Sequence, residues 1–240
     1  MRRLTIDPSI LERFPRYSAA VVYARGLDNG ESDPESASWL REAEGRVRAM
    51  VPEPASAHPH LAAWRSVFAA FGSKPSKFLC SAEALVKRVL KGEEVPPINR
   101  VVDAYNAVSL RHVLPAGGED LDRLESDLTL AFADGTEPFD LMSGDGTTTD
   151  RPSGGEGPEH PMPGEVVWKD SAGVTCRRWN WRQCKRTRLL PETKNAYLVL
   201  DRLAPYPREI LERAAVELAD QLHRISPGVS LETEFFGATE

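Results

Sequence analysis

The sequence predicts an α+β fold, with a mixed sheet flanked by helices. Helical periodicity dominates the first half of the chain and short β-like runs dominate the second half, and the two do not alternate regularly. The length of 240 residues allows one core to bury about 70% of the extended chain's surface. Apolar residues make up 41% and charged residues 28%, close to globular averages, which excludes global disorder. We therefore expect one domain over residues 1–240.

The N-terminal part of the chain predicts three elements. Residues 7–11 are expected to form a short helical turn. Residues 18–24 are an apolar run bounded by Pro15 and Gly26, which is typical of a buried strand. Residues 36–50 have helical spacing and predict the first long helix.

Three further helices follow from periodicity and capping. Pro59 suits the first turn of a helix that ends near Gly72. Ser81 is expected to cap the next helix, which continues until Gly92. The third covers residues 99–112, where apolar residues again mark one face.

The second half is predicted to be rich in strands. Four short β-like runs occur, at residues 127–133, 165–168, 174–179 and 196–200. A helix is expected over residues 206–225, where apolar side chains recur on one side. Residues 143–163 hold five glycines and four prolines but no Leu, Ile or Val. Such a segment cannot contribute to a core, and we expect a mobile loop.

Composition constrains location and partners. The net charge of −6 means that any nucleic-acid role must come from a local basic patch. The longest apolar run, residues 19–24, is far shorter than the ~20 residues of a membrane span, and the N-terminus lacks a run of signal-peptide length. Three cysteines without a Cys-x-x-Cys pair indicate free thiols in a reducing compartment. We expect a cytoplasmic protein with no membrane partner.

Several kinds of catalytic site are disfavoured. The sequence contains no P-loop, no Gly-x-Gly-x-x-Gly fingerprint, no His-Glu-x-x-His and no Gly-x-Ser-x-Gly elbow. This argues against nucleotide hydrolysis and against zincin or lipase-type chemistry. His58 and His60 could belong to a metal site, but solvated loop histidines are the simpler explanation. We assign no metal and no cofactor.

Two predicted helices carry polar side chains that suggest a site. Glu83 falls in a first helical turn, where it either holds a ligand amine or simply favours the helix dipole. Asn99, Asp103 and Asn106 share one side of the 99–112 helix. Because Asn and Asp are poor helix formers, either solvent exposure or a binding site explains them.

The most unusual segment is residues 176–188, with six basic residues and two tryptophans on an acidic chain. No acidic side chain lies between Asp170 and Glu192. Strand alternation would put Arg178, Asn180 and Arg182 on one face and Trp179 and Trp181 on the other. In one explanation the tryptophans anchor the core and the arginines are solvated or paired. In the other, the segment is a phosphate-facing groove with aromatic faces for stacking.

Three stretches carry a family resemblance. Residues 99–106 read Asn-Arg-Val-Val-Asp-Ala-Tyr-Asn, residues 115–122 read Pro-Ala-Gly-Gly-Glu-Asp-Leu-Asp, and residues 193–198 read Thr-Lys-Asn-Ala-Tyr-Leu. Their order, spacing and turn residues resemble the B3/B4 domain of the phenylalanyl-tRNA synthetase β chain, in free-standing form. The resemblance covers roughly residues 75–202, with looser similarity beyond. It implies a B3/B4-like mixed sheet with flanking helices.

The resemblance also implies a function. In the synthetase, this module hydrolyses tyrosine wrongly attached to the tRNA for phenylalanine, so we expect a trans-acting editor whose partner is an aminoacyl-tRNA. Such a site must cradle the terminal adenosine, hold the aminoacyl group and position a water. An aminoacyl ester is already reactive, and positioned donors can supply much of the acceleration.

The sequence departs from the synthetase pattern where the chemistry would lie. Gly117 stands where the synthetase loop Pro-Leu-His-Ala-Phe-Asp has its histidine. Gln183 and Cys184 replace a Gly-Gly turn that leads to a carboxylate in the synthetase. The synthetase's editing residues therefore cannot be carried over, and tyrosine specificity is not implied. Either other groups hydrolyse the ester or the protein binds without hydrolysis.

Under the first hypothesis, Glu119 and Asn180 are the candidate catalytic residues, with Glu119 orienting water or the substrate amine. The candidate substrate-binding residues are Glu83, Asn106, Asp120, Arg178, Trp179 and Trp181. The candidate tRNA-binding residues are Arg177, Arg182, Lys185, Arg186 and Arg188. The second hypothesis is a non-catalytic binder of tRNA, a free amino acid or an amino-acid conjugate. A third, a protein-interaction module, would need an exposed apolar patch that the sequence does not reveal.

Overall fold

The computed structural model describes residues 3–140 and 160–238. These residues form helices and two sheets, so the predicted α+β class is confirmed. Residues 143–159 of the predicted loop lie outside the described residues, and residues 160–163 lead to the next strand without helix or strand structure. No helix in the described segments is long and apolar enough to cross a membrane.

The elements in chain order agree closely with the sequence pattern. The helices are α1 (Pro8–Arg13), α2 (Pro34–Met50), α3 (Pro59–Ala70), α4 (Ser81–Leu90), α5 (Arg100–His112) and α6 (Arg208–Ile225). The strands are β1 (Leu4–Ile6), β2 (Tyr17–Arg25), β3 (Ala116–Asp120), β4 (Leu128–Phe132), β5 (Val166–Asp170), β6 (Gly173–Arg177), β7 (Arg182–Gln183), β8 (Asn195–Leu203) and β9 (Ser230–Gly237). Every predicted helix and β-like run has a counterpart.

The strands form two sheets. One has the order β3-β8-β2-β9 and is antiparallel throughout. The other has the order β1-β4-β5-β6-β7, in which only β1 and β4 run parallel. Helix α5 packs against α2, α6 and β3. Strands β2 and β8 are buried along nearly their whole length, which explains their continuous apolar sequences.

Side-chain caps fix the first turns of α2 and α5. The Asp33 carboxylate accepts from the Ser36 amide at 2.8 Å at the start of α2, and the Asn99 side chain accepts from the Val102 amide at 3.0 Å at the start of α5. The predicted cap of α4 is wrong by one residue, because Cys80 is the N-cap residue. The Ser81 hydroxyl instead donates to a backbone carbonyl of β3, at 3.3 Å.

Trp179 is the centre of the aromatic core. Its ring is fully buried, and its centroid lies 4.7 Å from that of Tyr17, 5.2 Å from Phe14 and 5.4 Å from Trp64. All three contacts are edge-to-face, a favourable arrangement for aromatic rings. The ring therefore joins β2, the end of α1 and α3 to the segment that follows β6.

That segment is a turn, and the predicted strand alternation across it is wrong. Strand β6 ends at Arg177, and the chain reverses before β7 begins at Arg182. The backbone φ is 47° at Arg178 and 65° at Trp179, in the left-handed region that no strand residue occupies. The side chains of residues 178–182 therefore do not alternate between two faces.

A buried ion pair holds the turn. Arg177 donates through Nε and Nη2 to the two carboxylate oxygens of Glu165, each at 2.9 Å. The Arg178 amide adds a third hydrogen bond to Glu165, at 3.1 Å. Arg177 is 1% exposed and Glu165 is 2% exposed. A two-pronged arginine–carboxylate pair fixes geometry strongly because both partners are planar.

Strands β1, β3 and β9 were not predicted. Strand β3 reads Ala-Gly-Gly-Glu-Asp, which has little β-propensity. It forms because it pairs with β8 from Ala116 opposite Leu200 to Asp120 opposite Ala196. Tertiary pairing, not local preference, decides this strand.

The expectation of solvated histidines is wrong for His60. Its ring is 1% exposed and stacks on Tyr206 at 4.3 Å between centroids. The Leu203 amide donates to Nε2 at 3.1 Å, so Nδ1 donates to the carbonyl oxygen of Val113 at 2.8 Å. Burial lowers the pKa of His60 to about 4. A neutral imidazole satisfied on both nitrogens is a core residue.

Gly118→Ala is expected to destabilise the protein by about 1–3 kcal/mol, the usual cost of overpacking. A Cβ at this position would lie 2.4 Å from a Leu198 methyl and 2.8 Å from the Tyr197 carbonyl oxygen, whereas at Gly117 it would meet only the Gln183 amide, at 3.3 Å. Gly117→Ala is therefore the matched control and should cost less than about 1 kcal/mol. Urea unfolding measures both, and equal losses would contradict the packing argument.

Candidate functional site

A cavity of about 250 Å³ lies above one face of the β3–β8 pair. Alternate residues of a strand share a face, so Tyr197, Val199 and Asp201 of β8 line it together. Gly117 and Glu119 of β3 stand opposite Val199 and Tyr197 in the sheet and line the same face. The floor therefore has a carboxylate at each end and a short apolar stretch between them.

The walls come from two helices and the other sheet. The lining residues are Ser81, Ala84 and Leu85 of α4, Tyr105 and Asn106 of α5, Trp168 and Cys176 of β5 and β6, and residues 179–183 of the turn and β7. Much of this surface is aromatic. Of the residues that line the cavity, Glu119, Asp201 and Arg182 are the ones with charged groups.

Glu119 is the most perturbed carboxyl group of the cavity. Its side chain is 0% exposed, and Oε2 accepts a hydrogen bond from the Thr187 hydroxyl at 2.9 Å. Oε1 accepts no hydrogen bond from the described residues. Burial raises the pKa of Glu119 to about 7, although the hydroxyls of Thr187, Thr175 and Tyr197 favour its charged form. This carboxyl group can therefore exchange a proton near neutral pH.

Asp201 occupies the other end of the floor. Its oxygens accept from the Tyr17 hydroxyl at 2.7 Å and from the Asn180 amide at 2.9 Å. Burial raises the pKa of Asp201 to about 6, and these two hydrogen bonds oppose the shift. Because the Asn180 amide is held by Asp201, its Oδ1 is left without a hydrogen bond among the described residues.

The cavity thiol is not an activated nucleophile. Cys176 is buried, and burial raises the pKa of its thiol well above the ordinary value, with the nearby Glu119 carboxylate adding to the shift. A cysteine nucleophile needs the opposite shift.

Comparison with known proteins identifies the family. The sequence model of the B3/4 domain matches residues 63–223, about two thirds of the chain. The chain belongs to the B3/4 domain family. No curated protein matches it.

One solved structure is similar to this chain. It is an N-terminal fragment of the phenylalanyl-tRNA synthetase β-subunit from Pyrococcus horikoshii, with a TM-score of 0.48 and 13% sequence identity. The match covers 95% of this chain and 50% of that one. The chain therefore spans half the length of the fragment it resembles.

Six of the residues singled out in the sequence line the cavity of this B3/4 domain. They are Asn106, Glu119, Trp179, Asn180, Trp181 and Arg182. Asn106 is the member of the polar helix face that reaches the cavity. Asn99 caps α5 instead, and Asp103 is a buried acceptor for the Ser36 hydroxyl at 2.8 Å.

Glu83 and Asp120 lie elsewhere. Glu83 is buried and accepts from Arg65 at 2.8 Å, and burial raises its pKa. Asp120 accepts from the Thr193 hydroxyl at 2.8 Å and from the Asp122 amide at 2.9 Å. Neither side chain lines the cavity. The hydrogen bonds of each within the protein explain why an acidic residue occurs at that position.

Arg178 and Trp181 form part of a stacked cluster. The Arg178 guanidinium lies 3.7 Å from the Phe78 ring centroid and 4.4 Å from that of Trp181. Arg182 lies over Trp181 as well, at 4.7 Å. These cation–π contacts hold Trp181 as a wall of the cavity.

The basic segment divides into buried and accessible residues. Arg177 is inside the protein, bound to Glu165, where a tRNA phosphate cannot reach it. Arg186 is bound through both Nη atoms to Asp170, at 2.7 and 2.9 Å. Lys185 is exposed, and Arg182 and Arg188 are half-buried. The surface available to a polyanion is therefore smaller than the sequence suggested.

Several lining residues were not predicted from the sequence, of which Asp201 and Tyr105 are the most important chemically. Asp201 ends an apolar run that reads Tyr-Leu-Val-Leu-Asp. The signal in the sequence was an acidic residue at the end of a strand whose other residues are apolar. Tyr105 lies beside Asn106 on α5, and its place in the apolar periodicity of that helix gave no sign of a site.

The two departures from the synthetase pattern meet in the structure. The Gln183 side chain lies against Gly117, with its amide nitrogen 3.3 Å from where a Cβ would stand. That amide donates to the Gly118 carbonyl oxygen at 2.8 Å. Gln183 thus occupies the space beside Gly117, and the two substitutions form one local arrangement.

Glu119→Gln is expected to stabilise the protein at pH 8 much more than at pH 5. A carboxyl group whose pKa rises from 4.5 to about 7 on folding binds its proton more tightly in the folded chain. The contribution of Glu119 to the free energy of unfolding is fully present below pH 4.5. It falls by about 3 kcal/mol as the pH rises to 7. Glutamine stays neutral and avoids this loss.

Thermal unfolding of both forms from pH 5 to pH 8 measures the effect. Glu192→Gln is the control, because Glu192 is exposed and lies outside the cavity. A stability gain from Glu119→Gln that is the same at both pH values would show that Glu119 does not titrate in this range.

Proposed function

We propose that this B3/4 domain protein binds the aminoacyl end of a tRNA and hydrolyses a mischarged ester. Glu119 carries the proposal: a fully buried carboxyl group in a cavity, with one free oxygen and a pKa near 7. A general base works best when its pKa lies near the working pH. The similarity of the sequence to a synthetase editing module indicates the substrate class.

The size of the cavity supports an aminoacyl ligand. A volume of about 250 Å³ suits one amino-acid side chain with its ester, and the body of a tRNA would remain outside. The aromatic lining, including Trp168 and Trp181, provides apolar contact for the carbon skeleton. Asn106 on the α5 wall is the amide donor that we assign to the ester carbonyl oxygen.

Hydrolysis of the ester requires one group that accepts a proton and then returns it. A water oxygen bonds to the ester carbonyl carbon, and its proton passes to the Glu119 carboxylate. When the tetrahedral intermediate collapses, the bond between the carbonyl carbon and the ribose oxygen breaks, and the proton returns from Glu119 to that oxygen. The products are a free amino acid and an uncharged tRNA. An activated ester needs little more than this positioning.

Binding without hydrolysis is the second candidate. No histidine occurs among the described residues that line the cavity, and the Thr187 hydroxyl already donates to one oxygen of Glu119. A protein that only binds a free amino acid or conjugate would be stabilised by ligand and show no turnover.

Deacylation of a panel of correctly and incorrectly charged tRNAs tests the proposal. We expect turnover of at least one mischarged species by the natural protein, and a loss of about 100-fold or more in Glu119→Gln, the typical contribution of a general base. Asn180→Ala should also reduce the rate, because Asn180 lines the cavity beside Asp201. Glu192→Gln should retain full activity.

A panel with no turnover would reject the hydrolase and favour the binder. Full activity in Glu119→Gln, with turnover in the natural protein, would reject Glu119 as the base while leaving hydrolysis intact.

Arg182→Ala combined with Lys185→Ala is expected to weaken tRNA binding. It should also reduce the slope of log Kd against log salt concentration by about one to two units, because each phosphate contact that is lost no longer releases its counterions on binding. The control is Arg46→Ala with Lys91→Ala, which removes the same charge from two exposed residues outside this segment. Titration of labelled tRNA at several salt concentrations measures both. Equal slopes in the two double variants would show that the 182–185 region does not contact tRNA.

A further inference from the structure

The spacing of the two buried carboxylates points to a particular ligand class. Glu119 stands opposite Tyr197, and Asp201 lies four residues further along β8 on the same face. At about 3.3 Å per residue, the Cα atoms of Tyr197 and Asp201, at the two ends of the floor, are about 13 Å apart. Between them the floor consists of Gly117 and Val199, which offer no side-chain hydrogen bond.

The hydrogen bonds of the cavity leave acceptors free at both ends. The side-chain amides of Asn180 and Gln183 each donate one hydrogen bond to an acceptor of the protein, at 2.9 and 2.8 Å. Three buried atoms of the lining residues have no hydrogen bond among the described residues: the acceptors Glu119 Oε1 at one end and Asn180 Oδ1, held beside Asp201, at the other, and one donor, Trp179 Nε1. Glu119 is 0% exposed and Asn180 is 9% exposed. A buried acceptor without a donor is costly, so a matching ligand brings N–H groups to both ends.

An extended amino acid with a terminal amine has this shape. Its two nitrogens are about 7 Å apart in lysine, and charged hydrogen bonds of about 2.8 Å at each end extend the reach to about 13 Å. The carbon chain between the nitrogens would cross the apolar middle of the floor. The aromatic walls, such as Trp168 and Tyr105, suit both the carbon chain and a cation.

We propose that the cavity selects aminoacyl groups whose side chain ends in an amine, such as lysine or ornithine. The α-ammonium group lies towards Glu119, and the side-chain ammonium group binds Asp201 together with Asn180 Oδ1. The orientation rests on the proposed function, because the ester must be next to the base. Asp201 is then the residue that determines specificity.

Binding of amino-acid amides tests the proposal, because amides resemble the ester but resist hydrolysis. The probes are lysinamide and norleucinamide, which has a methyl group in place of the terminal aminomethyl group, with tyrosinamide as an aromatic probe. We expect lysinamide to bind at least 10-fold more tightly than either of the others, as measured by calorimetry or by the shift in Tm. Equal or tighter binding of norleucinamide or tyrosinamide would overturn the proposal.

Asp201→Asn locates the selectivity. It should weaken lysinamide binding at least 10-fold and leave norleucinamide binding nearly unchanged, while Asp220→Asn, an exposed carboxylate on α6, should alter neither. The amide retains an oxygen to accept from Tyr17, and circular dichroism checks folding. If folded Asp201→Asn keeps the full preference for lysinamide, the assignment of Asp201 is wrong. The comparison of probes on the natural protein does not depend on this variant.

The outcomes separate this inference from the proposed function. Tight lysinamide binding with no deacylation of any tRNA would retain the ligand class and reject hydrolysis. Turnover of a tRNA charged with a neutral amino acid, without lysinamide binding, would retain hydrolysis and reject the ligand class.

Discussion

The buried pair between Arg177 and Glu165 is the contact on which the site depends. Two parallel hydrogen bonds of 2.9 Å join the side chains, and the Arg178 amide also donates to Glu165. This fixes the backbone where it enters the left-handed region at residues 178 and 179. Removing either partner would leave an uncompensated buried charge, which costs far more than a lost surface pair.

The turn then delivers two side chains in different directions. Trp179 enters the aromatic core, where it meets rings from three other elements. Asn180 points towards β8 and binds Asp201. One local reversal thus connects the stability of the core to the geometry of the cavity. Asn180, which the sequence pattern placed on a strand among basic residues, lies in a turn and forms part of the cavity wall.

The cavity departs chemically from the synthetase pattern that the sequence resembles. A glycine and a glutamine, Gly117 and Gln183, lie together where that pattern has a histidine and a glycine turn. Glu119, two residues from Gly117, is fully buried, with one oxygen bonded to the Thr187 hydroxyl and the other without a hydrogen bond among the described residues. Burying a carboxyl group costs free energy, and strongly shifted pKa values cluster at functional sites. The described residues that line the cavity therefore include two carboxyl groups, those of Glu119 and Asp201, and no imidazole.

The sequence by itself determined the α+β class, the helices and most of the strands, because periodicity and caps are local signals. It also singled out Asn106, Glu119 and Asn180, because they are polar residues in the segments that carry the family resemblance or the cluster of basic residues. Only the tertiary structure decided the rest. Strand β3 forms through its partner β8, Arg177 is buried by Glu165, and Asp201 joins the site through a cross-strand face. Each depends on residues distant in the chain, whose proximity no local pattern encodes.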